Sequence, residues 1–291
     1  MVLRGFSRRA WLQTFFSCAS AFAFQKPRDT AAPKDWVCPM DPDYRAATPG
    51  VCPRCGMKLV LQVPDRIEYP LQVSQSPESL NAGDTVTLTF RVLNPTTSRT
   101  VTEFELVHEK LMHLFLVSEN LEFFAHLHPS RQTDGSFTLN VRLPYGGMYR
   151  MLADYYPFGS VPQLAVNTLF VSGSPQHRKI IPALAPCPAE NLTASLRLEP
   201  NPPLAGLETK LFYELNPATG LQPYLGAWGH MLVASSDLID LLHLHPFLAN
   251  GGASAQFNAI FPRSGLYRIW TQFQRENVVN TVVFTVPVES L

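Results

Sequence analysis

A histidine pattern that occurs twice is the strongest chemical signal in this chain. Six of the eight histidines fall into two trios: His113, His126 and His128, then His230, His243 and His245. Each trio reads H-x12-H-x-H-P, and the two copies lie 117 residues apart. Neutral imidazole is the commonest protein ligand for late transition metals. The sequence therefore predicts two similar metal sites, each with three histidine ligands.

The residues between the histidines predict a β-hairpin in each copy, because apolar runs flank a short polar segment. A turn centred between Glu119 and Asn120 would place His113 directly across from His126. Residues opposite one another on antiparallel strands share a face, and so do residues i and i+2 on one strand. All three histidines of a copy should then project from one side. The alternative is that they are packing or hydrogen-bonding residues inherited by duplication.

His108 precedes the first trio and has no histidine counterpart in the second copy. On a regular strand, its odd separation from His113 would turn it to the other side, unless a bulge at Lys110 reverses the parity. We therefore do not count His108 among the predicted ligands. Met112 and Met231 directly neighbour the first histidine of each copy, and alternation predicts that they lie on the opposite face, in a core.

A cysteine-rich segment ahead of the repeats is a further candidate metal site. Cys52-Pro53-Arg54-Cys55-Gly56 has the form of a metal knuckle, in which a tight turn aims two thiolates at one ion and glycine permits the backbone conformation. Cys38 and Asp41 have the spacing of a second knuckle. Together the two pairs could form a tetrahedral site with three sulfurs and one oxygen. In an oxidising compartment, a disulfide between Cys52 and Cys55 is the alternative.

The stretch from Trp36 to Leu59 resembles the small heavy-metal-binding domain of copper-efflux ATPases and efflux adaptor proteins. That family has C-P-M-H-P, a spacer with Pro-Gly, and then C-P-x-C-G-M, whereas this chain has Asp41 in place of the histidine. The resemblance implies three thiolate ligands and a weaker carboxylate: Cys38, Cys52, Cys55 and Asp41. Met40 and Met57 add thioether sulfur that would suit Cu(I), and packing within a small domain explains them equally well.

Two copies of one domain make up most of the chain. Gly147-Met148-Tyr149-Arg150 matches Gly265-Leu266-Tyr267-Arg268, and each copy has about seven short, alternating runs typical of strands. No window shows helical periodicity. We therefore predict a mainly β chain with two tandem Ig-like β-sandwich domains behind a small Cys-rich metal knuckle. The repeated region also resembles uncharacterised secreted bacterial proteins that often travel with metal-resistance functions.

The predicted domains follow in this order: a signal peptide (1–23), a tether (24–34), the knuckle (35–64), sandwich one (67–173), a Pro-rich linker (174–193) and sandwich two (194–287). The signal peptide is predicted because Arg8 and Arg9, which resemble a twin-arginine signal, precede an apolar run and an Ala21-Phe22-Ala23 cleavage site. The exported protein should be periplasmic or extracellular, with no transmembrane segment in the mature chain. Loss of the three leader arginines takes the formal net charge from 0 to −3, and no basic stripe remains to bind nucleic acid.

These patterns favour an exported metal-binding protein that holds a copper or zinc ion and sequesters or transfers it in the cell envelope. Metal-efflux or metal-chaperone proteins are the candidate partners. One alternative is a two-domain β-sandwich structural or interaction protein with structural histidines, and another is a mononuclear metalloenzyme. The chain has no G-x-S-x-G, H-E-x-x-H or P-loop motif, so an enzyme is the less favoured reading. A three-histidine site with an open position could still be catalytic.

Overall fold

The computed structural model describes residues 36–40, 44–54, 56–61, 67–174 and 179–291. Within these ranges the chain forms β-strands, turns and loops, and no α-helix. A helix with the length and apolarity to cross a membrane is accordingly not found in the described part of the chain. The predicted signal peptide and tether lie outside the described residues, as do Asp41 and Cys55 of the predicted knuckle.

The strands are distributed over three modules. The cysteine module contains β1 (Trp36–Val37) and β2 (Arg45–Ala46). The first sandwich contains β3 (Leu71–Ser76), β4 (Thr85–Val92), β5 (Phe104–Glu105), β6 (Met112–Ser118), β7 (Phe124–Leu127), β8 (Ser130–Arg131), β9 (Phe137–Arg142), β10 (Gly147–Pro157) and β11 (Gln163–Val171). The second sandwich contains β12 (Cys187–Pro188), β13 (Thr193–Glu199), β14 (Glu208–Asn216), β15 (Leu221–Gln222), β16 (His230–Ser235), β17 (Leu241–Leu244), β18 (Leu248–Ala249), β19 (Ser254–Ile260), β20 (Gly265–Arg275) and β21 (Val278–Val288).

Each repeat is a sandwich of two antiparallel sheets, which confirms the predicted fold class. In the first repeat one sheet has the order β3-β4-β9-β8, and the other has the order β11-β10-β6-β7 with β5 paired to β10. In the second repeat the orders are β12-β13-β14-β19-β18 and β15-β20-β16-β17, with β21 also paired to β20. Successive side chains of a strand point to opposite faces, so the alternation in Thr85–Val92 buries every second side chain of β4 in the core.

The two histidine-bearing strands are buried on both faces. One face of β6, with Met112 and Leu114, lies in the core of the first sandwich, and Met231 on β16 lies in the core of the second, as the alternation predicted. The opposite faces meet in a separate apolar cluster that draws Phe115 from the first sandwich and Leu232 from the second. The two sandwiches therefore pack against each other through the faces that carry the histidines.

The matching Gly-x-Tyr-Arg segments begin β10 and β20, and their tyrosines have a structural role. The hydroxyl of Tyr149 donates to the carbonyl oxygen of Tyr145 at 3.0 Å, and the hydroxyl of Tyr267 donates to that of Arg263 at 3.0 Å. Each tyrosine thereby ties the start of its strand to the preceding turn, which sets where the long strands β10 and β20 begin.

The cysteine module has too few residues for a core of its own and completes one by docking on the first sandwich. Cys38, Cys52 and Met57 lie in one apolar cluster with Val107 and Tyr156 of that sandwich. This burial accounts for Met57 as a packing residue. It also places the module beside the segment that leads into the first histidine strand.

Candidate metal centre

Both histidine hairpins form, but the predicted register is wrong by two residues. Phe115, and not His113, lies opposite His126, and the second hairpin shows the same shift. The connection is longer than a two-residue turn because Leu121 adopts a φ of 57° and buries its side chain between the sandwiches. A shift of two residues keeps each side chain on its original face. The histidines of each hairpin therefore still share a side.

The first trio comes together as a group. The ring nitrogens that His113, His126 and His128 offer all lie within 4.8 Å of one another. The Nε2–H of His113 donates to the carbonyl oxygen of Val107 at 2.7 Å, because a carbonyl oxygen can only accept. The proton of this neutral ring is therefore on Nε2, and Nδ1 carries the lone pair. That lone pair points at Nε2 of His126, at 2.9 Å.

The other member of this pair is oriented by the opposite sandwich. Nδ1 of His126 lies 2.8 Å from Oε1 of Gln272, and Nε2 of Gln272 donates to Thr281 at 3.1 Å, so in this amide orientation Gln272 accepts from the histidine. His126 therefore carries its proton on Nδ1, and its Nε2 presents a lone pair to His113. Two lone pairs facing each other repel unless a cation lies between them. Nitrogens about 2.0–2.1 Å from a shared tetrahedral zinc ion would be about 3.3 Å apart, so a small widening of the 2.9 Å approach would admit a metal ion.

A second trio forms across the two sandwiches, and its membership differs from the prediction. His230 and His245 are joined by His108 of the first sandwich, with their offered nitrogens all within 4.8 Å of one another. The Nε2–H of His230 donates to the carbonyl oxygen of Tyr224 at 2.8 Å, and its Nδ1 lies 3.1 Å from Nε2 of His245. His108 thus takes the place in this trio that was predicted for His243, and the close partner of His230 is His245, the counterpart of His128.

His108 reaches the composite trio because it lies in a tight turn and not on a strand. Val107 and Lys110 exchange two backbone hydrogen bonds of 2.8 and 2.9 Å. His108 and Glu109 between them have φ values of 44° and 65°, the signature of a type I′ turn. The parity argument that turned His108 away was therefore wrong, since it assumed extended backbone. The sequence contained one signal of this turn. Gly226 occupies the matching turn of the second repeat, two residues after Tyr224, and glycine is common where φ is positive.

His243 occupies a position of its own between the two trios. Its Nδ1 lies 3.0 Å from a carboxylate oxygen of the fully buried Asp154, and its Nε2 is buried without a hydrogen-bond partner. Asp154 lies directly across from His113 on β10, and Gln272 lies across from His230 on β20. Each sandwich thus supplies the acceptor that orients a histidine of the other. The sequence placed Asp154 and Gln272 at matching positions but gave neither a role.

The two trios form one continuous centre and not two separate sites. Ring centroids of His126 and His230 are 5.5 Å apart, and those of His113 and His230 are 6.1 Å apart. Aromatic rings seal one side, because Phe124 of the first sandwich stacks on Trp270 of the second at 5.2 Å and 7°. The prediction of one site in each half therefore gives way to a single histidine centre at the interface of the halves.

Burial favours the neutral form of most of these histidines. It lowers the pKa of His113 to about 4. It lowers the pKa of His108 to about 3, against the opposing influence of Asp154 and Cys52. Burial likewise holds the pKa values of His126, His230 and His245 well below 6.5. Neutral rings keep their lone pairs available at pH 7, as metal ligands must.

Several polar atoms of the centre are buried and lack a hydrogen-bond partner. They are both ring nitrogens of His108, Nε2 of His128 and Nε2 of His243. A buried polar group that stays unsatisfied costs about 1–3 kcal/mol, which coordination to an ion would offset. A donor set made of imidazole nitrogen suits Cu(II) or Zn(II). The residues present therefore fit a bound metal ion.

The described part of the cysteine module keeps its two cysteines inside. Cys38 and Cys52 are both buried. The amide of Gly56 donates to the carbonyl oxygen of Cys52 at 2.9 Å, and the amide of Cys52 donates to that of Met57 at 2.8 Å. With a φ of 74° at Gly56, this closes the tight turn that the knuckle pattern predicts.

Comparison with known families agrees with both sequence resemblances. The heavy metal binding domain matches residues 36–61, and a domain of unknown function, DUF8832, matches residues 66–169 and 190–290. Together with the buried histidine trios, the first of these matches suggests that the protein binds a metal ion. A search of curated proteins finds no match.

Solved structures with similar β domains share little sequence with this chain. The Escherichia coli adhesin FdeC is 14% identical over 80% of this chain and 70% of its own, with a TM-score of 0.27. The chicken CNTN1 FN1–FN3 domains are 6% identical over 79% and 70%, with a TM-score of 0.23. A Ca2+-stabilized adhesin of an Antarctic bacterium is 8% identical over 78% and 50%, with a TM-score of 0.26.

The two DUF8832 matches correspond to the two sandwiches, and together they span well over half of the residues. The heavy metal binding domain precedes them and matches the cysteine module. The chain is therefore a member of the DUF8832 family that carries a heavy metal binding domain ahead of its duplicated sandwich.

Proposed function

We propose that this protein binds copper or zinc as cargo, at the histidine centre and at the cysteine module, and sequesters or transfers it in the cell envelope. The observation that carries the proposal is the 2.9 Å approach of Nδ1 of His113 to Nε2 of His126. The remaining hydrogen bonds of both rings leave each of these atoms with a lone pair. The envelope location is supported by the twin-arginine-like leader of the sequence.

The two donor sets suit different ions. The module offers thiolates, which favour soft ions such as Cu(I), whereas the histidine centre offers imidazole nitrogens, which favour Cu(II) or Zn(II). A protein with both donor sets can bind copper as Cu(I) or as Cu(II). Metal-efflux or metal-chaperone proteins are the partners that this chemistry would serve.

The chain holds the histidines in place before any ion arrives. His113 and His230 are anchored by backbone carbonyls, and His126 and His243 by side chains of the opposite sandwich. Partners of this kind fix the tautomer and orientation of a ligating histidine. Phe115 stacks on His126 at 4.2 Å and 17°, which keeps water from that face of the ring. His128 is only half-buried, so ions should exchange with solvent on its side.

Metal uptake by the purified, leader-free protein tests the proposal. We expect copper and zinc to bind in stoichiometric amounts and to raise the melting temperature. Replacing both His126 and His128 with Asn should remove the ion held by the first trio while the circular dichroism spectrum stays unchanged. The matched control is His177→Asn, which changes a histidine outside the described residues. A wild-type protein that takes up neither metal, and whose melting temperature ignores both, would contradict the proposal.

A structural role for the histidines has one observation in its favour. The bonds from His113 to Val107 and from His230 to Tyr224 tie each histidine strand to the turn that precedes it. If the histidines serve only this purpose, the His126→Asn and His128→Asn double variant should lose stability and keep unchanged metal uptake.

A mononuclear metalloenzyme is favoured by the make-up of the first trio, which offers three ligands and leaves a fourth position open beside the half-buried His128. Turnover that requires metal and disappears in His113→Ala would support it. Screening of oxidase and hydrolase substrates without metal-dependent turnover would exclude it.

A further inference from the structure

The cysteine knuckle lies against both type I′ turns. Its buried cysteines share a cluster with Val107, the residue that begins the His108 turn. A Cβ built on Gly56 would lie 3.5 Å from the carbonyl oxygen of Gly226, and one built on Gly226 would lie 3.7 Å from the side chain of Glu109. The knuckle, the turn of the second sandwich and the turn of the first sandwich therefore meet at one place.

His108 is held differently from the other histidines of the centre. Four of those rings are anchored by a carbonyl, an amide or a carboxylate, whereas both ring nitrogens of His108 are buried without a hydrogen-bond partner. The residue is 5% exposed, and no hydrogen bond fixes which of its ring nitrogens faces the composite trio.

On one side His108 contacts the composite trio. Its ring centroid lies 3.8 Å from that of His245 and 5.2 Å from that of His230. On the other side it borders the module, because His108 shares the wall of a cleft of about 540 Å³ with Gly56, Met57 and Tyr156. His108 is thus the histidine of the centre that borders the cysteine module.

We propose that the cysteine module and the composite trio exchange a metal ion with each other, and that His108 is the ligand that carries it across. This inference rests on the proposed function. In each step a bond from the metal to a thiolate of the module breaks as a bond to His108 forms, and His230 and His245 then complete the new site. The ion keeps its oxidation state, and the released thiolate takes up a proton from water.

The burial of the composite trio supports this route. His230 is 1% exposed, and the module covers the turn that contributes His108. An ion that first binds the thiolates has therefore already lost most of its water when it meets His108. Such an ion can change ligands one at a time and need not be fully hydrated between the sites.

Cobalt(II) is a suitable probe, because thiolate coordination gives a charge-transfer absorption that coordination by imidazole alone does not. One equivalent would be mixed rapidly with the reduced, metal-free full-length protein under anaerobic conditions. We expect the charge-transfer band to rise first and then to decay, at the same rate at which the visible absorption of the histidine-bound ion grows.

His108→Asn is the test variant, because Asn tolerates a positive φ and so preserves the turn. We expect it to slow the decay of the thiolate band at least tenfold. The control is Glu276→Asn, which makes an Asn replacement at another positive φ, in the exposed turn between β20 and β21, and should leave the transfer rate unchanged. Melting curves would verify that both variants fold.

Two results would overturn the inference: a charge-transfer band that never decays in the wild-type protein, or transfer at the wild-type rate in His108→Asn. A Cys38→Ser and Cys52→Ser double variant separates this failure from that of the proposed function. If its histidine centre still fills, in a single step without the thiolate band, metal binding by the histidines stands whatever the result for transfer. If no histidine-bound cobalt forms in the wild-type protein either, both proposals fail.

Discussion

The chemistry of the centre is decided by which nitrogen of each ring carries the proton. Backbone carbonyls accept hydrogen bonds from Nε2–H of His113 and of His230, and Gln272 accepts one from Nδ1–H of His126. The atoms left with lone pairs are those that approach a neighbouring ring. Loss of an outer hydrogen-bond partner of this kind typically lowers metal affinity by about 10- to 100-fold.

Removing the partner of His126 should weaken metal binding and leave the fold in place. We expect Gln272→Leu to lower the affinity of the first trio about 10- to 100-fold, because His126 loses the acceptor that fixes its tautomer. Gln274→Leu is the matched control on the same strand, since Gln274 bonds to Gln222 away from the centre. Isothermal titration with zinc measures both. Equal affinities in the two variants would show that Gln272 does not orient a ligand.

At the scale of elements, the two type I′ turns decide which residues reach the centre. A positive φ costs an L-residue about 1–2 kcal/mol, and His108, Glu109 and Leu225 all adopt one. Glycine avoids this cost, and of these two turns only that of the second repeat contains a glycine, Gly226. The first repeat retains a strained turn that places a histidine beside the composite trio.

The strain at these turns is measurable in the second repeat. Gly226→Ala should lower the free energy of unfolding by about 1 kcal/mol, because a Cβ is disfavoured at a φ of 75° although the space around it is sufficient. Gly252→Ala is the control, since Gly252 has no positive φ and its Cβ would meet only the end of the Asn250 side chain. Urea denaturation of both variants gives the comparison. A Gly226→Ala protein as stable as the control would refute the strained turn.

At the scale of the molecule, the interface between the sandwiches creates the centre. Asp154 and Gln272 reach across it in opposite directions, and His108 crosses it to join the composite trio. The stack of Phe124 on Trp270 and the surrounding apolar cluster hold the two faces together. Metal binding and domain packing should therefore be coupled.

Truncating an aromatic residue at the interface should reveal this coupling. We expect Trp270→Ala to lower the free energy of unfolding by about 3–5 kcal/mol, as for other buried aromatic side chains. We also expect it to weaken zinc binding, although Trp270 is not itself a zinc ligand. Phe170→Ala is the control, because that ring is 71% exposed and should change stability by less than about 0.5 kcal/mol. Zinc affinity that survives the loss of Trp270 unchanged would argue against coupling.

Acid should destabilise the metal-free protein. Burial lowers the pKa of His113 to about 4 in the folded state, against about 6.5 when unfolded, so below pH 6.5 the unfolded chain binds the extra proton. The contribution of the neutral, buried His113 to the free energy of unfolding is therefore complete above pH 6.5 and is lost as the pH falls towards 4. For a histidine that stays neutral down to pH 5 the loss is about 2 kcal/mol, and His108 acts in the same direction. Denaturation midpoints at pH 7 and pH 5 measure it, and equal midpoints would contradict it.

Local patterns were enough to predict much of this protein. Alternation identified the sandwich strands, as in Thr85–Val92, where every second side chain is buried. The duplicated spacing identified six histidines of the centre, and C-P-x-C-G identified the module. Residues i and i+2 share a face whatever the register, so the prediction that the histidines share a side survived a two-residue error in pairing.

The grouping of the histidines was decided by tertiary structure alone. No local pattern states that the outer faces of β6 and β16 pack together, so the prediction assigned one site to each half. Because the two sandwiches dock, His108, Asp154 and Gln272 each contact a histidine of the other sandwich. The turn at Val107–Lys110 directs His108 to the side opposite to the one that alternation on an extended strand predicts. Spacing in sequence fixes side-chain direction within one strand, whereas contacts between residues more than a hundred positions apart depend on how whole sheets pack.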